Sequence, residues 1–164
     1  MSRKKSKLTH VDDHGAAHMV DIGAKTPSRR TAVAAGQIRM QAATLAAIRD
    51  NAIAKGDVLT VAKIAGISAA KRTSEWIPLC HPLPIDVIDL ALSLDQELPG
   101  VRVRARSAVE ARTGAEMEAL IAVTTALLTI YDMCKAVDRE MEIGAIRLLE
   151  KSGGRGGTWK STQT

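Results

Sequence analysis

The chain has 164 residues, 46% of them apolar and 25% charged, which suits one ordinary globular domain with a modest core. Phe is absent and the aromatic residues are Trp76, Trp159 and Tyr131, so the core must be largely aliphatic, and we expect oligomerisation to bury more surface. The net charge of +5 lies largely in the first seven residues and near the C-terminus, without interleaved aromatic residues, which argues against a nucleic-acid-binding module.

The sequence also bears on where the protein works. No apolar run follows the basic start of the chain, so we expect no signal peptide. No stretch approaches the roughly 20 apolar residues of a membrane span. Cys80 and Cys134 do not form a C-x-x-C pair. We therefore expect a cytoplasmic protein with reduced thiols and no membrane contact.

The first part of the chain predicts a leader and two strands. Residues 1–8 are predicted to be a flexible basic leader. A short strand is predicted over residues 18–23, and Pro27 and Ser28 then indicate a turn. A second strand is predicted over residues 31–40.

Two helices are predicted next. Residues 41–55 carry Leu45 and Ile48 at helical spacing, and Gly56 is predicted to end this helix. Asp57 is a candidate N-cap for the second helix. The apolar stripe of the second helix comprises Val58, Val61, Ala62, Ala65 and Ala69.

Prolines define a rigid connector over residues 76–84, because proline fixes φ and removes a backbone donor. Strands are predicted over residues 85–94 and 101–109, joined by a hairpin at Pro99-Gly100. Val and Arg alternate at the start of the second of these strands, which indicates one solvent-exposed face.

The longest helix is predicted over residues 115–137, and a last strand over 141–149. This order of elements predicts an α+β domain over residues 9–151, with an antiparallel or mixed sheet and helices on one side. Residues 152–164 are predicted to be a flexible glycine-rich tail.

Histidine in Leu79-Cys80-His81-Pro82-Leu83 is the first candidate for chemistry. A His next to proline has few backbone options and titrates near neutral pH, which suits proton transfer. The alternative is a His that only bonds a neighbouring carbonyl. Zinc binding by Cys80 and His81 is a weaker alternative, because no second Cys/His pair occurs at finger spacing.

Two glutamates begin the long helix. Thr113 is a candidate N-cap and Glu116 would complete a capping box, which gives Glu116 a structural explanation. Glu118 has no such explanation and precedes an apolar run, so it is predicted to point toward a pocket.

Asp132 and Lys135 are neighbours on one helix face near the end of the same helix. An exposed ion pair is the simplest interpretation. Their apolar flanks favour a half-buried pair whose perturbed pKa values suit acid–base chemistry. The flanking residues are Ala126, Leu127, Leu128, Ile130, Met133 and Val137.

Basic residues that could bind phosphate precede the connector, without a P-loop or Rossmann motif. This set comprises Lys55, Lys63, Lys71 and Arg72, which Arg30 and Lys151 could join. Glu118 and Asp132 are fourteen residues apart, about 21 Å along an unbroken helix. They could therefore serve one small substrate only if the helix breaks or if the site is shared between subunits.

Together these motifs resemble the molybdenum cofactor biosynthesis protein C family of cyclic pyranopterin monophosphate synthases, from about residue 8 to residue 154. The most specific stretches are Leu79–Leu83 and Tyr131–Lys135, which lie within the longer matches Ile77–Leu83 and Leu128–Val137; Thr113–Leu120 also matches. The others are Leu8–His10, Ala17–Asp21, Lys55–Val58, Ile64–Thr73 and Leu148–Gly154.

The resemblance implies conversion of 3′,8-cyclo-7,8-dihydroguanosine 5′-triphosphate, a cyclised GTP derivative, into cyclic pyranopterin monophosphate with release of pyrophosphate. It also implies a ferredoxin-like α+β fold and a homohexamer, a trimer of dimers, with sites at subunit interfaces. No cofactor and no metal ligand are implied; whether magnesium accompanies the triphosphate is left open.

The resemblance also implies roles for single residues. Asp132 resembles the general acid/base, with Lys135 and Lys55 as the other catalytic residues. The substrate-binding positions implied are Leu79, Cys80, His81, Glu116, Met117, Glu118, Arg30 and Lys151. Whether Arg29 or Arg30 faces the site is left open. A catalytically silent relative that only binds nucleotides or a partner protein is the alternative from another class.

Overall fold

Antiparallel strand pairing organises the computed structural model of this chain, which describes residues 15–162. The elements in chain order are β1 (Ser28–Arg39), α1 (Ala42–Arg49), α2 (Val58–Ala70), α3 (Thr73–Trp76), β2 (Val87–Asp95), β3 (Gly100–Ala111), α4 (Glu116–Cys134), β4 (Glu142–Ser152) and β5 (Trp159–Lys160). The strands form one five-stranded sheet in the order β2-β3-β1-β4-β5. The helices pack against it, which confirms the predicted α+β class and is consistent with a ferredoxin-like arrangement.

The core lies between the sheet and α4, which contacts β1, β3, β4 and α2. Its largest apolar side chains are aliphatic, as the shortage of aromatic residues predicts. Those that are fully buried are Ile38, Leu127, Ile130, Val101, Val103, Val109 and Val123. Small residues bring the two long helices together: a Cβ at Gly66 would lie 2.7 Å from the carbonyl oxygen of Ala122. Glycine at this position therefore allows the close approach of α2 to α4.

Helix α4 is long and apolar enough, by length and composition, to cross a membrane. A buried core helix passes the same test, so this finding alone does not contradict the expectation that no stretch spans a membrane. In the fold α4 packs on the sheet, and nine of its residues are buried. Its apolar composition follows from that packing.

Several predicted elements are confirmed with changed bounds. The hairpin between β2 and β3 turns at residues 96–99, and the exposed arginines of β3 alternate with buried residues. The backbone N–H of Thr60 donates to Asp57 Oδ1 at 3.0 Å, which confirms Asp57 as the N-cap of α2. In the predicted stripe of α2, Val61 is 42% exposed, whereas Gly66, which the stripe did not include, is buried.

The strand predicted over residues 18–23 is wrong, since this segment is irregular and a turn begins at Gly23. The side chain of Asp21 accepts the N–H of Gly23 at 2.7 Å. Such a local turn competes with strand pairing. The turn expected at Pro27 and Ser28 is also wrong, because Ser28 already begins β1.

The helix predicted over residues 41–55 ends at Arg49, which corrects the predicted role of Gly56. Asn51 adopts the left-handed conformation, with φ of 52°, and so turns the chain out of the helix. Gly56, with φ of 95°, belongs to the next turn, directly before α2.

The two ends of the chain were predicted to be flexible. The leader at residues 1–8 lies outside the described residues. Ser152 is the last residue of β4, and β5 within the expected tail pairs with β4. The single domain over residues 9–151 and the flexibility of the tail stay predictions.

Candidate active site

The residues singled out from the sequence lie at opposite ends of α4. This helix is unbroken from Glu116 to Cys134, so Glu118 and Asp132, fourteen residues apart, are separated by about 21 Å. One chain cannot bring both side chains to one small molecule.

The C-terminal cluster comprises Lys55, Asp132 and Lys135. Lys55 Nζ lies 2.8 Å from Asp132 Oδ2 and 2.9 Å from the backbone oxygen of Asp132. Lys135 Nζ lies 2.7 Å from Asp132 Oδ1. Lys55 reaches this end of α4 through the turn that follows α1. Both lysines thus bond to the carboxylate of Asp132, the third catalytic candidate.

This cluster is exposed within the chain, which corrects the expectation of a half-buried pair. The side chains of Asp132 and Lys135 are 57% and 54% exposed. Leu128 and Val137 are exposed as well, at 55% and 65%. Leu128 lies on the exposed side of α4, and Val137 lies beyond the end of the helix at Cys134.

Two lysines set the electrostatics of the C-terminal cluster. Hydrogen bonds from Lys135 and Lys55, reinforced by their charges, lower the pKa of Asp132 to about 2. The same contact with Asp132 raises the pKa of Lys135. Both pKa values move away from neutral pH. In the single chain Asp132 and Lys135 therefore stay charged near neutral pH and do not exchange protons readily.

Glu118 lies at the opposite end of α4 and behaves differently. Its side chain is 2% exposed, and its Oε2 has no hydrogen-bond partner within residues 15–162. Burial, opposed by a backbone hydrogen bond and reinforced by the charge of Glu116, raises the pKa of Glu118 to about 7. A carboxyl group that titrates near neutral pH can both give and take a proton.

The connector brings Cys80 to this N-terminal end. Burial, and then the negative charges of Glu118 and Glu116, raise the pKa of the Cys80 thiol. Leu79 and His81 flank Cys80 and are half-buried, as is Met117 on the first turn of α4. This end therefore gathers the connector residues and the glutamates that were predicted to bind substrate.

Glu116 does not complete a capping box, so that alternative is wrong. The N-cap of α4 is Ala115, and Thr113 lies outside the helix. The Oε1 of Glu116 instead lies 2.9 Å from Nζ of Lys151 on β4. Glu116 is therefore part of an ion pair at the mouth of a cavity.

This cavity, of about 800 Å³, opens at the same end of the fold. Antiparallel pairing places the start of β1 next to the ends of β3 and β4, with Ser28 opposite Ala111 and Thr31 opposite Ser152. Basic side chains dominate its charged lining, where Glu116 is the acid. The basic residues are Lys25, Arg30, Arg112, Lys151 and Arg155. Such a lining suits a group with several negative charges.

Two glycines shape the wall of the cavity. Gly153 and Gly154 both adopt the left-handed conformation, with φ of 97° and 70°. A Cβ at Gly153 would collide with the backbone oxygen of Arg29, and one at Gly154 with the guanidinium of Arg30. The segment can follow β1 this closely only because these residues lack side chains.

The structure resolves which of the two adjacent arginines lines the cavity. Arg29 Nη1 lies 2.5 Å from Oδ2 of Asp86, the residue before β2. Arg30 lines the cavity, and its guanidinium donates to the carbonyl groups of Ala111 and Arg112. Arg30 is therefore the one available to a ligand.

Sequence reasoning missed three of the basic lining residues, namely Lys25, Arg112 and Arg155. Each lies on a different loop, and the pairing of β1 with β3 and β4 brings the three loops together. No local motif marks them. The other predicted basic residues, Lys63, Lys71 and Arg72, lie on or beside α2 and do not line this cavity.

Across the part of the chain that the structure describes, no three His, Cys, Asp or Glu side chains are placed to hold one metal ion.

Known proteins resemble this chain over almost its whole length. The MoaC family model matches residues 19–154. Proteins of Brucella ovis and Brucella melitensis are each 57% identical to it over 153 residues, 93% of either chain. A protein of Brucella suis is 56% identical over the same share. All three relatives are named cyclic pyranopterin monophosphate synthase.

Proposed function

The chain belongs to the MoaC family and is an enzyme of molybdenum cofactor biosynthesis, a cyclic pyranopterin monophosphate synthase, and we propose that it acts through both ends of α4. This confirms the resemblance drawn from its motifs. The proposed substrate is 3′,8-cyclo-7,8-dihydroguanosine 5′-triphosphate. The proposed products are cyclic pyranopterin monophosphate and pyrophosphate.

The basic lining of the cavity is the main support for this substrate, because a triphosphate needs several cations to bind it. Forming the cyclic phosphate requires a ribose hydroxyl to attack the α-phosphorus. The bond to the β-phosphate then breaks and pyrophosphate leaves. Negative charge grows on the leaving group, and preorganised cations stabilise it. We assign the triphosphate to the cavity, with Arg30 and Lys151 from the sequence prediction and Lys25, Arg112 and Arg155 from the structure.

Proton transfer is assigned to the carboxyl groups and to Lys135. Rebuilding the ring system moves several protons, and a group transfers protons best when its pKa lies near the working pH. Glu118, with a pKa of about 7, meets this condition in the single chain. Asp132 does not, because its pKa is about 2. We propose that substrate and a second subunit exclude water from Asp132 and so make it a usable general base.

Lys55 and Lys135 act with Asp132 in this proposal. Both are bonded to its carboxylate. When substrate displaces one of these contacts, the released ammonium can stabilise a developing oxyanion or donate a proton. Leu79, Cys80, His81 and Met117 then form the wall opposite Glu118 that binds the pterin precursor.

A second copy of the chain is proposed to complete each site. Two copies of α4 packed antiparallel would place Asp132 of one copy beside Glu118 of the other. The outward side of α4 suits such packing, since Met117, Ile121 and Thr125 are half-buried and Leu128 is exposed. The axis of this pair would pass near Thr125, midway between Glu118 and Asp132.

The family resemblance supports a homohexamer, a trimer of dimers, with sites at subunit interfaces. It also supports work in the cytoplasm, where Cys80 and Cys134 stay reduced. No resident cofactor is proposed, and magnesium would enter only with the triphosphate.

Turnover of the cyclised GTP derivative by the wild-type chain and by Asp132→Asn tests this function. The wild type should release cyclic pyranopterin monophosphate and pyrophosphate, and the variant should lose about 10²–10⁴-fold in kcat while still binding substrate. Product from both would remove Asp132 from its role. Product from neither, with folded protein, would favour a relative that only binds nucleotides.

A further inference from the structure

Asp138 is a buried carboxylate to which the proposed mechanism assigns no role. It lies four residues after the end of α4, and its residue is 2% exposed. Its Oδ2 accepts the backbone N–H of Gln41 at 2.8 Å and the hydroxyl of Thr44 at 3.1 Å. Its Oδ1 accepts the backbone N–H of Glu140 at 3.2 Å. Both oxygens are therefore used, and the Oδ2 bonds connect it to a distant helix.

That helix is α1, whose own side chains do not cap its N-terminus within the described chain. Gln41 is the N-cap and its side chain makes no capping bond within the described chain, and the first turn contains no acidic residue. A carboxylate at a helix N-terminus satisfies free N–H groups and interacts favourably with the helix dipole. Asp138 supplies this function from a position 97 residues further along the chain.

The far end of α1 leads directly to the C-terminal cluster. Asp50 and Ala52 donate backbone N–H groups to Ala46 and Ala47, and Ile53 is buried in the core. Gly56 closes the next turn by donating its N–H to Ile53. Lys55, held between these anchors, bonds to the carboxylate and the carbonyl of Asp132.

The stretch from Gln41 to Lys55 is thus fixed to the end of α4 at two points. Asp138 holds its start, and Asp132 holds Lys55 at its finish. Both aspartates belong to the same short region around the end of α4, six residues apart. A shift of α1 relative to this region would move Lys55 relative to Asp132.

We infer that Asp138 is a positioning residue, which sets the place of Lys55 at the carboxylate of Asp132 by capping α1 and tying it to the end of α4. This inference rests on the proposed function for its effect on turnover, but not for its effect on the position of Lys55. Asp138 touches no reacting atom in this account. Its contribution is to keep the C-terminal cluster assembled in the absence of substrate.

Asp138→Asn is the variant of choice, because it keeps the shape and removes the charge. An amide has one acceptor oxygen, so its NH₂ group must face either the donors of α1 or the N–H of Glu140. In either orientation the negative charge that strengthens the bonds to α1 is lost. We expect α1 to shift and Lys55 to withdraw from Asp132. A misplacement of about 1 Å costs roughly 10²-fold in rate, so kcat should fall by about that factor while KM changes little.

Titration of the Asp132 carboxyl by NMR reports the position of Lys55 without any turnover. Hydrogen bonds from both lysines hold its pKa at about 2 in the wild type. Lys55→Met serves as the reference, because it measures how far the pKa of Asp132 rises when the Lys55 ammonium is absent. Asp138→Asn should reproduce at least half of this rise. Thr44→Val, which removes one of the bonds to Asp138 but keeps the charge, should give a smaller rise in the same direction.

A helix cap with no positioning role would give a different result. Asp138→Asn would then lower Tm but leave both kcat and the pKa of Asp132 at the wild-type values, and this would overturn the inference. If Asp138→Asn does not fold, Thr44→Val decides, and an unchanged Asp132 titration there overturns the inference as well. Failure of the wild type to turn over substrate would contradict the proposed function alone, because the titration would still measure the position of Lys55.

Discussion

At the scale of single residues, the two carboxyl groups of α4 show opposite pKa shifts. Burial raises the pKa of Glu118 to about 7, whereas two lysines lower that of Asp132 to about 2. The first group is protonated over much of the range in which the second is ionised. A pair of carboxyl groups whose environments separate their pKa values is an arrangement suited to acid and base roles.

Glu118 should make the stability of the protein depend on pH. In the unfolded chain Glu118 ionises near 4.5, while the folded chain keeps its proton up to about 7. The stabilisation is therefore complete below pH 4.5 and is lost as the pH rises toward 7. Glu118→Gln cannot ionise, so relative to wild type it should gain on the order of 2–3 kcal/mol in free energy of unfolding across this window.

Urea unfolding of wild type and Glu118→Gln at several pH values between 4 and 8 measures this difference. Glu142→Gln, at an exposed position on β4, is the matched control and should run parallel to the wild type. If the free energy of unfolding of Glu118→Gln also ran parallel to that of the wild type across this pH range, Glu118 would not be held protonated in the folded chain.

Gly153 offers a second test at this scale. Its φ of 97° and its contact with the backbone oxygen of Arg29 both oppose a side chain. Gly153→Ala should lower the free energy of unfolding by more than about 1 kcal/mol and weaken the binding of pyrophosphate. Gly156→Ala, where no atom lies within 4 Å of the added Cβ, should stay within about 0.5 kcal/mol of wild type.

Calorimetry with pyrophosphate and thermal unfolding measure both effects of these glycine variants. Equal behaviour of the two would mean that the glycine segment does not shape the wall of the cavity.

At the scale of elements, two candidate N-cap residues were predicted from the sequence, and only one of them caps its helix. Asp57 caps α2 through the N–H of Thr60, whereas Thr113, in an equally suggestive position, lies two residues before the N-cap of α4. Asp57→Ala should therefore lower the free energy of unfolding measurably. Thr113→Ala should stay within about 0.5 kcal/mol. Chemical denaturation of both variants decides, and a cost for Thr113→Ala equal to that for Asp57→Ala would restore the capping box.

Sequence patterns located most elements, because periodicity and turn chemistry are local properties. The alternation along β3 and the Asp57 cap are examples. The end of α1 was missed, since it depends on the left-handed conformation of Asn51, which many sequences would permit but few require.

The candidate site was predictable where motifs are contiguous. The residues around Asp132 and those around His81 lie in such motifs. Lys25, Arg112 and Arg155 were missed because strand register, rather than any motif, assembles them. The bonds from Gln41 and Thr44 to Asp138 were missed for the same reason.

At the scale of the whole molecule, the proposed site residues lie in two groups at the two ends of α4, and we propose that each group is half of a site. The lysine–aspartate cluster lies at one end of α4, and Glu118 and the basic cavity lie at the other. Exposed apolar side chains at Ile64, Trp76 and Leu128 add surface that a second copy can bury. A two-fold arrangement of two copies would make two complete sites from four halves.

Mixing two inactive variants tests this central claim most directly. Asp132→Asn and Glu118→Gln, denatured together and refolded at equal amounts, would form hybrid pairs in which one site lacks both groups and the other is intact. Random pairing then predicts recovery of about a quarter of the wild-type turnover of the cyclised GTP derivative. Each variant refolded alone should stay inactive. No recovery in the mixture, with hybrid assemblies present by mass spectrometry, would contradict the shared site.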